Sequence, residues 1–160
     1  MSTRQKSRPE PKPNTQDALP FACTLEVRDA CLCLHVQRAA RALARRFDEA
    51  LRPVELTSGQ FSLLTSLNRP EPPTIGSVAH LLAMDRTTLT ANLKPLERRR
   101  LLKITIDKED KRSRRLIITA AGRALLHKAY PIWKETHVGV EFLIKRGSAD
   151  DLRTALISLS

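Results

Sequence analysis

Glycine is scarce in this chain of 160 residues, which contains only five. A glycine-rich loop that binds nucleotide phosphates is therefore disfavoured, and so is a strand-rich fold with many tight turns. Cysteine is scarce as well, because three cysteines, an odd number in a chain this long, do not form a disulfide framework. A reducing compartment suits such a chain best, and we expect a cytoplasmic protein.

Long apolar runs are also missing. No segment approaches the roughly 18 consecutive apolar residues of a membrane-spanning helix, so no membrane partner is expected. The first residues, MSTRQKSRPEPKP, are basic but lead into no apolar segment, which excludes a secretory signal. Hydrophobic residues nevertheless make up 41% of the chain, which is enough for a packed core. The composition predicts a soluble, mainly helical protein of one domain with appended helices.

Acidic residues are outnumbered, at 17 against 28 basic ones, which gives a net charge of +11. The segment from Arg86 to Arg115 contains eleven basic and four acidic residues, so a net charge of +7 lies within 30 residues. A clustered basic patch on a folded unit is typical of proteins that bind a polyanion. The alternative is a solvated face that serves solubility alone.

The N-terminal half of the chain reads as a series of helices after a proline-rich arm at residues 1–20. Apolar residues spaced by three, four and seven predict one long helix over residues 24–51. Thr57 and Gln60 have the spacing of a capping box that begins a second helix. Thr74 caps a third helix, whose inward-facing residues are expected to be Ile75, Val78, Leu81 and Leu82. Asp85 caps a fourth helix, which we expect to bend at Pro95 and continue.

The hydrophobic period then changes from helical to strand-like. The β-branched segments 103–106 and 116–119 flank a charged stretch at residues 107–115, which predicts a hairpin with a charged tip. Helical spacing returns over residues 120–145, with a bend at Pro131. Ser148 is expected to cap a last short helix.

Two short helices followed by a hairpin form a winged helix-turn-helix, whose second helix enters the major groove of DNA. At this point the sequence resembles the MarR family of bacterial transcription regulators, over about residues 25–145. The matching segments, in chain order, are residues 56–61 (LTSGQF), 75–84, 85–90 (DRTTLT), Leu96-Glu97-Arg98 with Leu101, and 110–113 (DKRS) running into Leu116 and Thr119. We therefore expect a mainly α protein with a small β-hairpin wing, in which long dimerisation helices flank the winged helix-turn-helix.

The resemblance implies a homodimer. It divides the chain into a flexible arm (1–20), an N-terminal dimerisation helix (21–55), a DNA-binding domain (56–119) and C-terminal dimerisation helices (120–160). The implied function is a repressor that leaves a pseudo-palindromic double-stranded operator when a small aromatic or phenolic effector binds. Half-sites about one helical turn apart follow from the two-fold symmetry. No Ser/His/Asp set or carboxylate pair indicates an enzyme.

The first turns of the fourth helix have residue types that suit DNA. Arginine donates a bidentate pair of hydrogen bonds to guanine. Threonine has a hydroxyl that binds phosphate and a methyl group that contacts thymine. The alternative is that Thr87 and Thr88 only stabilise the helix start. The three arginines at residues 98–100 contact phosphate or complement the helix dipole, and we favour the dipole. The predicted contacts in this helix are Arg86, Thr87, Thr88, Thr90 and Lys94.

The hairpin tip supplies a second set of predicted DNA contacts. By resemblance, Asp110 and Arg112 occupy the D-x-R positions of the family, and the tip arginine reaches the minor groove, whose negative potential attracts it. The alternative for Arg112 is an exposed salt bridge with Asp110, which stabilises little. The predicted contacts in the hairpin are Lys108, Lys111, Arg112, Ser113 and Arg114.

The resemblance also implies a small organic effector, often an aromatic acid, bound between the long helices and the DNA-binding lobe. There we expect an arginine to pair with its carboxylate and aromatic side chains to stack on its ring. The candidate lining residues are His35, Arg38, Phe47, Phe61 and Trp133. We expect no cofactor and no metal, because the four histidines and three cysteines have no tight ligand spacing.

Cys33 takes the place of the reactive cysteine in the hydroperoxide-sensing branch of the family. Phe47 and Ser58 stand where that branch has tyrosines, so a buried thiol would lack donors that stabilise a thiolate. We therefore favour Cys31 and Cys33 as small apolar helix residues. The alternative function is a redox-sensing repressor that acts through Cys33.

Overall fold

A computed structural model describes residues 18–159, so most of the predicted N-terminal arm lies outside the described residues. The chain divides into two compact units, one up to Ala40 and one from Arg41 onward. Within the described range, no helix is long and apolar enough to cross a membrane.

The first unit contains helix α1 (Phe21–Ala30) and the beginning of helix α2 (Leu32–Leu51), which continues into the second unit. The prediction of one helix over residues 24–51 is wrong at Cys31, whose backbone is extended at φ −73° and ψ 105°. The Leu34 amide, which a continuous helix would bond to a carbonyl, instead lies 3.4 Å from the Cys31 sulfur. The Cys31 thiol thus caps α2.

Three short helices follow a 3-10 turn at Arg52–Val54: α3 (Ser58–Leu67), α4 (Ile75–Leu81) and α5 (Arg86–Arg98). Their predicted caps are confirmed. Thr57 and Gln60 cap α3 reciprocally, and Thr74 and Asp85 accept backbone N–H groups at the starts of α4 and α5. The prediction that Leu81 faces inward is wrong, because its side chain at the end of α4 is 56% exposed.

The wing consists of antiparallel strands β1 (Leu102–Ile106) and β2 (Arg114–Ile118). Leu102 pairs with Ile118 at one end of the ladder, and Ile106 pairs with Arg114 at the other. The predicted tip was therefore two residues too long. Both Arg114 and Arg115 belong to β2, where backbone pairing overrides their poor strand preference.

The last elements are helices α6 (Ala120–Glu141) and α7 (Ala149–Ile157). Helix α6 passes through Pro131 as predicted but ends at Glu141, short of residue 145. The Ser148 cap is confirmed, and Asp151 returns a bond to the Ser148 backbone.

The core of the second unit lies where α3, α4, α5, the hairpin and α6 meet. Its fully buried side chains are mostly leucines, which α3 and α5 present on one face each. The largest of them are Leu51, Leu63, Leu64, Leu67, Val78, Leu89, Leu93, Leu96, Leu102 and Leu116. This packing fixes α5 and the wing on one small scaffold.

Candidate nucleic-acid interface

The start of α5 is built around the Asp85 carboxylate. It accepts the Thr88 amide at 2.8 Å and the Thr88 hydroxyl at 2.5 Å. These bonds, the hydroxyl first, lower the pKa of Asp85. The Thr90 hydroxyl donates to the Arg86 carbonyl at 2.7 Å. The hydroxyl hydrogens of Thr88 and Thr90 are thus used within the helix, while their oxygen lone pairs still accept bonds.

The opposite face of α5 is open to solvent. Leu89, Leu93 and Leu96 are fully buried, so they anchor one side of the helix in the core. Thr87, Thr90 and Lys94, spaced by three and four residues, form an exposed stripe. This spacing gives α5 a polar face that a duplex groove can accept.

Arg86, the first residue of α5, lies against the start of α4. A Cβ atom built on Gly76 would stand 3.2 Å from the Arg86 Nη2 atom. Glycine at position 76 therefore leaves room for the guanidinium group. Arg86 is exposed, so this packing orients the side chain without burying it.

The tip of the wing is held by Asp110. Its carboxylate accepts the Arg112 amide at 2.9 Å and the Ser113 hydroxyl at 2.8 Å, and its carbonyl accepts the Ser113 amide at 2.8 Å. The Ser113 hydroxyl, followed by the Arg112 amide, lowers the pKa of Asp110. In the described part of the chain the Arg112 guanidinium takes part in no salt bridge, so the pairing with Asp110 that was the alternative for Arg112 is not formed.

The other predicted wing residues differ in whether their charged groups are exposed or bonded within the wing. Lys108, Lys111 and Arg112 are exposed. Arg114 folds back onto the turn, because its Nη1 atom donates to the carbonyls of Lys111 at 3.0 Å and Ser113 at 3.3 Å. Arg112 is therefore the tip arginine whose charged group is available to a partner.

An ion pair that the sequence analysis missed lies at the base of the tip. Asp107 is only 6% exposed and is paired with Arg115. Its carboxylate also accepts the amides of Glu109 at 2.8 Å and Asp110 at 3.2 Å. The Glu109 amide, and then Arg115, lower the pKa of Asp107. The pair is eight residues apart in sequence, so only the hairpin register reveals it.

The arginines at the far end of α5 are partly structural. Arg99 donates to the Glu55 carbonyl at 2.6 Å, which ties α5 to the turn after the 3-10 helix. Arg100 has a left-handed backbone, with φ 57°, where the chain turns into the wing. Arg98 is exposed. The contact of Arg99 with Glu55 is different from the helix-dipole role predicted for these three arginines, which stays a prediction.

Comparison with known proteins identifies this arrangement. The MarR family model matches residues 56–113, which run from just before α3 to the wing tip. The structure of the Mycobacterium tuberculosis transcriptional regulator MosR in complex with DNA is 36% identical, with a TM-score of 0.73, and the match covers 81% of this chain and 92% of that one. The chain belongs to the MarR family.

Further relatives of this MarR-family protein are also regulators. The transcriptional repressor CouR bound to p-coumaroyl-CoA is 27% identical, with a TM-score of 0.72, and covers 84% of this chain and 94% of that one. The organic hydroperoxide resistance regulator of Bacillus subtilis is 27% identical over 76% of this chain and 80% of its own length. The regulator TtmR of Methylorubrum extorquens is 33% identical over 62% of this chain, a match that spans only about half, 51%, of TtmR. The chain is therefore a DNA-binding transcription regulator with a winged-helix fold.

The predicted effector residues of this MarR-family protein fall into two groups. Trp133 of α6 stacks on Phe61 of α3 with ring centroids 6.0 Å apart, and on His137 at 4.8 Å. Phe47 is half-buried in α2, and the ring contacts of the described residues do not join it to this stack. His35 and Arg38 are exposed and belong to the first unit.

Two grooves flank Phe61 within the second unit of the MarR-family fold. One, of about 430 Å³, is lined by Phe61, Thr65, Asn68, Arg123, Leu126, His127 and Tyr130. The other, of about 380 Å³, is lined by Phe61, Ser62, Thr65, Ser66, Arg69, Leu81, Leu82 and Trp133. Both have the size of sites for small organic molecules. The sequence does not predict Arg123, His127 and Tyr130 at this groove, because only the packing of α3 on α6 places them beside Phe61.

The Cys33 thiol is not the buried thiol that the argument against redox sensing assumed. Its side chain is exposed near the start of α2, and the Gln37 amide nitrogen lies 3.2 Å from its sulfur. All three cysteines are free. Cys33 therefore has a hydrogen-bond donor that the sequence comparison with tyrosine-bearing relatives did not anticipate.

Proposed function

We propose that the chain is a homodimeric repressor that binds a pseudo-palindromic operator and leaves it when a small aromatic or phenolic molecule binds. The observation that carries the DNA-binding part is the combination of the exposed stripe on α5 and the exposed Arg112 side chain on a fixed wing, whose guanidinium forms no salt bridge with residues 18–159. In this proposal, α5 reads the major groove and Arg112 enters the minor groove.

The charges around these two elements support the proposed roles. Lys108, Lys111 and Lys94 are exposed, and they supply the phosphate contacts of the proposal. Arg86 and the threonines of α5 supply base contacts, with Ser113 and Arg114 shaping the wing. Duplex binding through several such contacts releases counterions and makes affinity fall steeply with salt.

Selection from a random duplex library tests the DNA-binding part. We expect an enriched sequence with two inverted half-sites, centred about 34–36 Å apart in B-form DNA. The affinity for this selected duplex is then measured across a salt series, with a scrambled duplex as control. Enrichment of a single direct site would contradict the symmetric dimer. A log-log salt slope near zero would contradict the phosphate contacts.

Exposed apolar side chains support the homodimer. At the C-terminal end, Phe142 is 83% exposed, Ile157 71% and Leu159 67%. On α1 and α2, Phe21 is 72% and Leu32 70% exposed. Concentrations of large exposed apolar side chains are typical of protein interfaces. We propose that both sets are covered by the second copy.

The stacked residues around Phe61 support an aromatic effector. Trp133 is the only tryptophan of the chain, so its fluorescence reports on this region alone. We expect phenolic acids such as p-coumarate to quench Trp133 and to release the selected duplex over the same concentration range. A Phe61→Leu variant should weaken both effects, whereas Phe142→Leu, at the residue that follows α6, should leave the quenching unchanged. Release of DNA without quenching would place the effector elsewhere.

The second candidate function is redox sensing through Cys33. It is favoured by the exposure of this thiol, the nearby Gln37 donor and the similarity to the hydroperoxide resistance regulator of B. subtilis. Treatment with cumene hydroperoxide should then release the selected duplex and leave a sulfenic acid or disulfide at Cys33, detected by mass spectrometry. Cys33→Ser should abolish the release and Cys23→Ser should not. Peroxide-driven release that persists in Cys33→Ser would exclude Cys33 as the switch.

A further inference from the structure

The wing is attached to the connector between α3 and α4 as well as to itself. The Arg115 guanidinium donates from Nη1 to the Pro72 carbonyl at 2.9 Å, and the Leu116 amide donates to the Pro73 carbonyl at 2.9 Å. A bridge between Thr74 and Arg115 continues this pairing. Because proline has no N–H group, Pro72 and Pro73 serve only as acceptors for β2.

The same guanidinium group faces the wing turn on its other side. Its Nε atom is bonded to Asp107, whose carboxylate also holds the amides of Glu109 and Asp110. Asp107 is 6% exposed at its side chain and Arg115 37%. Arg115 is therefore the group that joins the turn, through Asp107, to the connector, through Pro72.

We propose that Arg115 is a positioning residue of the DNA interface, which fixes the wing turn so that Arg112 is presented in one place. The proposal rests on the proposed minor-groove contact of Arg112. Ordering the turn before DNA arrives reduces the conformational entropy that binding would otherwise cost. Arginine is suited to the task, because its planar group donates in several fixed directions and a lysine ammonium does not match that geometry.

A double-mutant cycle on the selected duplex tests the proposal. We expect Arg112→Ala to weaken binding by about 5- to 100-fold, the usual effect of an arginine that contacts bases. Arg115→Ala should weaken binding by about three- to tenfold, and the double variant should bind no worse than Arg112→Ala alone. Arg52→Ala, which removes an exposed arginine outside α5 and the wing, is the charge-matched control.

Hydrogen exchange of the free protein gives a readout that is independent of DNA. In Arg115→Ala the amides of Glu109 and Asp110 should exchange faster, while amides in α6 keep their rates. Arg115→Lys keeps a positive charge near Asp107 but loses the hydrogen bond to the Pro72 carbonyl. The exchange rates of its wing amides and its affinity for DNA should therefore fall between those of the wild type and Arg115→Ala. If Arg115→Ala speeds exchange throughout the protein, that variant is destabilised as a whole, and Arg115→Lys becomes the test. The proposal would then be overturned if the wing amides of Arg115→Lys exchanged at the wild-type rate.

The outcomes separate this inference from the proposed function. If Arg112→Ala leaves affinity unchanged, the minor-groove contact fails, and with it any role of Arg115 in DNA binding. If Arg112→Ala weakens binding but the Arg115→Ala effect is absent, only the inference fails. If the affinity losses of Arg112→Ala and Arg115→Ala multiply in the double variant, Arg115 contacts DNA itself. In that case the affinity of Arg115→Ala should also depend less steeply on salt than that of the wild type.

Discussion

Gly122 in the first turn of α6 lies directly against the backbone of Leu101, at the start of the wing. A Cβ atom built on Gly122 would stand 2.1 Å from the Leu101 carbonyl oxygen and 2.9 Å from Ile118 Cγ1. The Leu101 carbonyl also accepts the Thr119 amide at 3.0 Å, so it is held in place. Glycine is required here because no side chain fits between α6 and the wing.

We expect Gly122→Ala to destabilise the protein by about 2–3 kcal/mol or more, because the clash is with backbone that cannot move away cheaply. Thermal denaturation should show a melting temperature lower by roughly 5–10 °C. Gly59→Ala is the matched control, since its Cβ would meet nothing nearer than the Thr57 hydroxyl at 4.0 Å. It should leave stability unchanged or raise it by up to about 1 kcal/mol. Equal melting temperatures for the two variants would contradict the close approach.

The helix starts are the part of the fold that the sequence predicts best. Caps at Thr57, Thr74, Asp85 and Ser148 depend on contacts within three residues, so local sequence determines them. The break at Cys31 was missed because a thiol is a weak acceptor and an uncommon cap. Nothing in the spacing of the apolar residues around it signals an interruption.

Thr87 and Thr88 should respond differently to replacement by valine. The Thr88 hydroxyl donates to Asp85, whereas Thr87 makes no side-chain hydrogen bond with the part of the chain that the structure describes. Thr88→Val should therefore lower both the melting temperature and the affinity for the selected duplex. Thr87→Val should change base preference with unchanged stability, measured by repeating the selection. Equal melting temperatures for both variants would contradict the role of Thr88 at the helix start.

Protonation of Asp85 at low pH should weaken the N-terminal cap of α5. Hydrogen bonds to Thr88 lower the pKa of this carboxyl below its ordinary value of 3.8. The folded pKa lies below the unfolded one, so the cap stabilises fully above the ordinary value and weakens as pH falls through the lowered one. The NMR shift of the Thr88 amide should follow this titration. Asp85→Asn keeps a hydrogen-bond acceptor but cannot titrate, so this variant should abolish the pH-dependent change in the Thr88 amide shift. A midpoint of that change at pH 3.8 or above would contradict the lowered pKa of Asp85.

The wing shows where sequence reasoning reaches its limit. The D-x-R pattern predicted a DNA contact for Arg112, with a salt bridge to Asp110 as the alternative. In the structure, the Asp110 carboxylate instead accepts hydrogen bonds from the Arg112 amide and the Ser113 hydroxyl. The Asp107–Arg115 pair depends on strand register and on a connector 43 residues away in sequence, at Pro72. Interactions of this range are set by tertiary packing, which local patterns do not encode.

Phe142, at the end of α6, is a direct test of the proposed dimer. Its side chain is 83% exposed, so Phe142→Asp removes little packing within one protomer. If a second copy covers this residue, the substitution buries a charge in the interface, and the protein should be monomeric at micromolar concentration. Light scattering during size-exclusion chromatography measures this directly. Circular dichroism should show that the helices are retained.

Ile106→Asp is the control for the Phe142 variant. Ile106 is a similarly apolar residue, 59% exposed on β1 of the wing, outside the helices proposed to dimerise. We expect this variant to remain a dimer, since a charge there meets solvent. Phe142→Asp should also bind the selected duplex more weakly, because each half-site would then bind a separate protomer without the gain in effective concentration that dimerisation provides. A dimeric Phe142→Asp protein would move the interface away from Phe142 and leave the exposed apolar residues of α1, of α2 and of the α7 end as its remaining candidates.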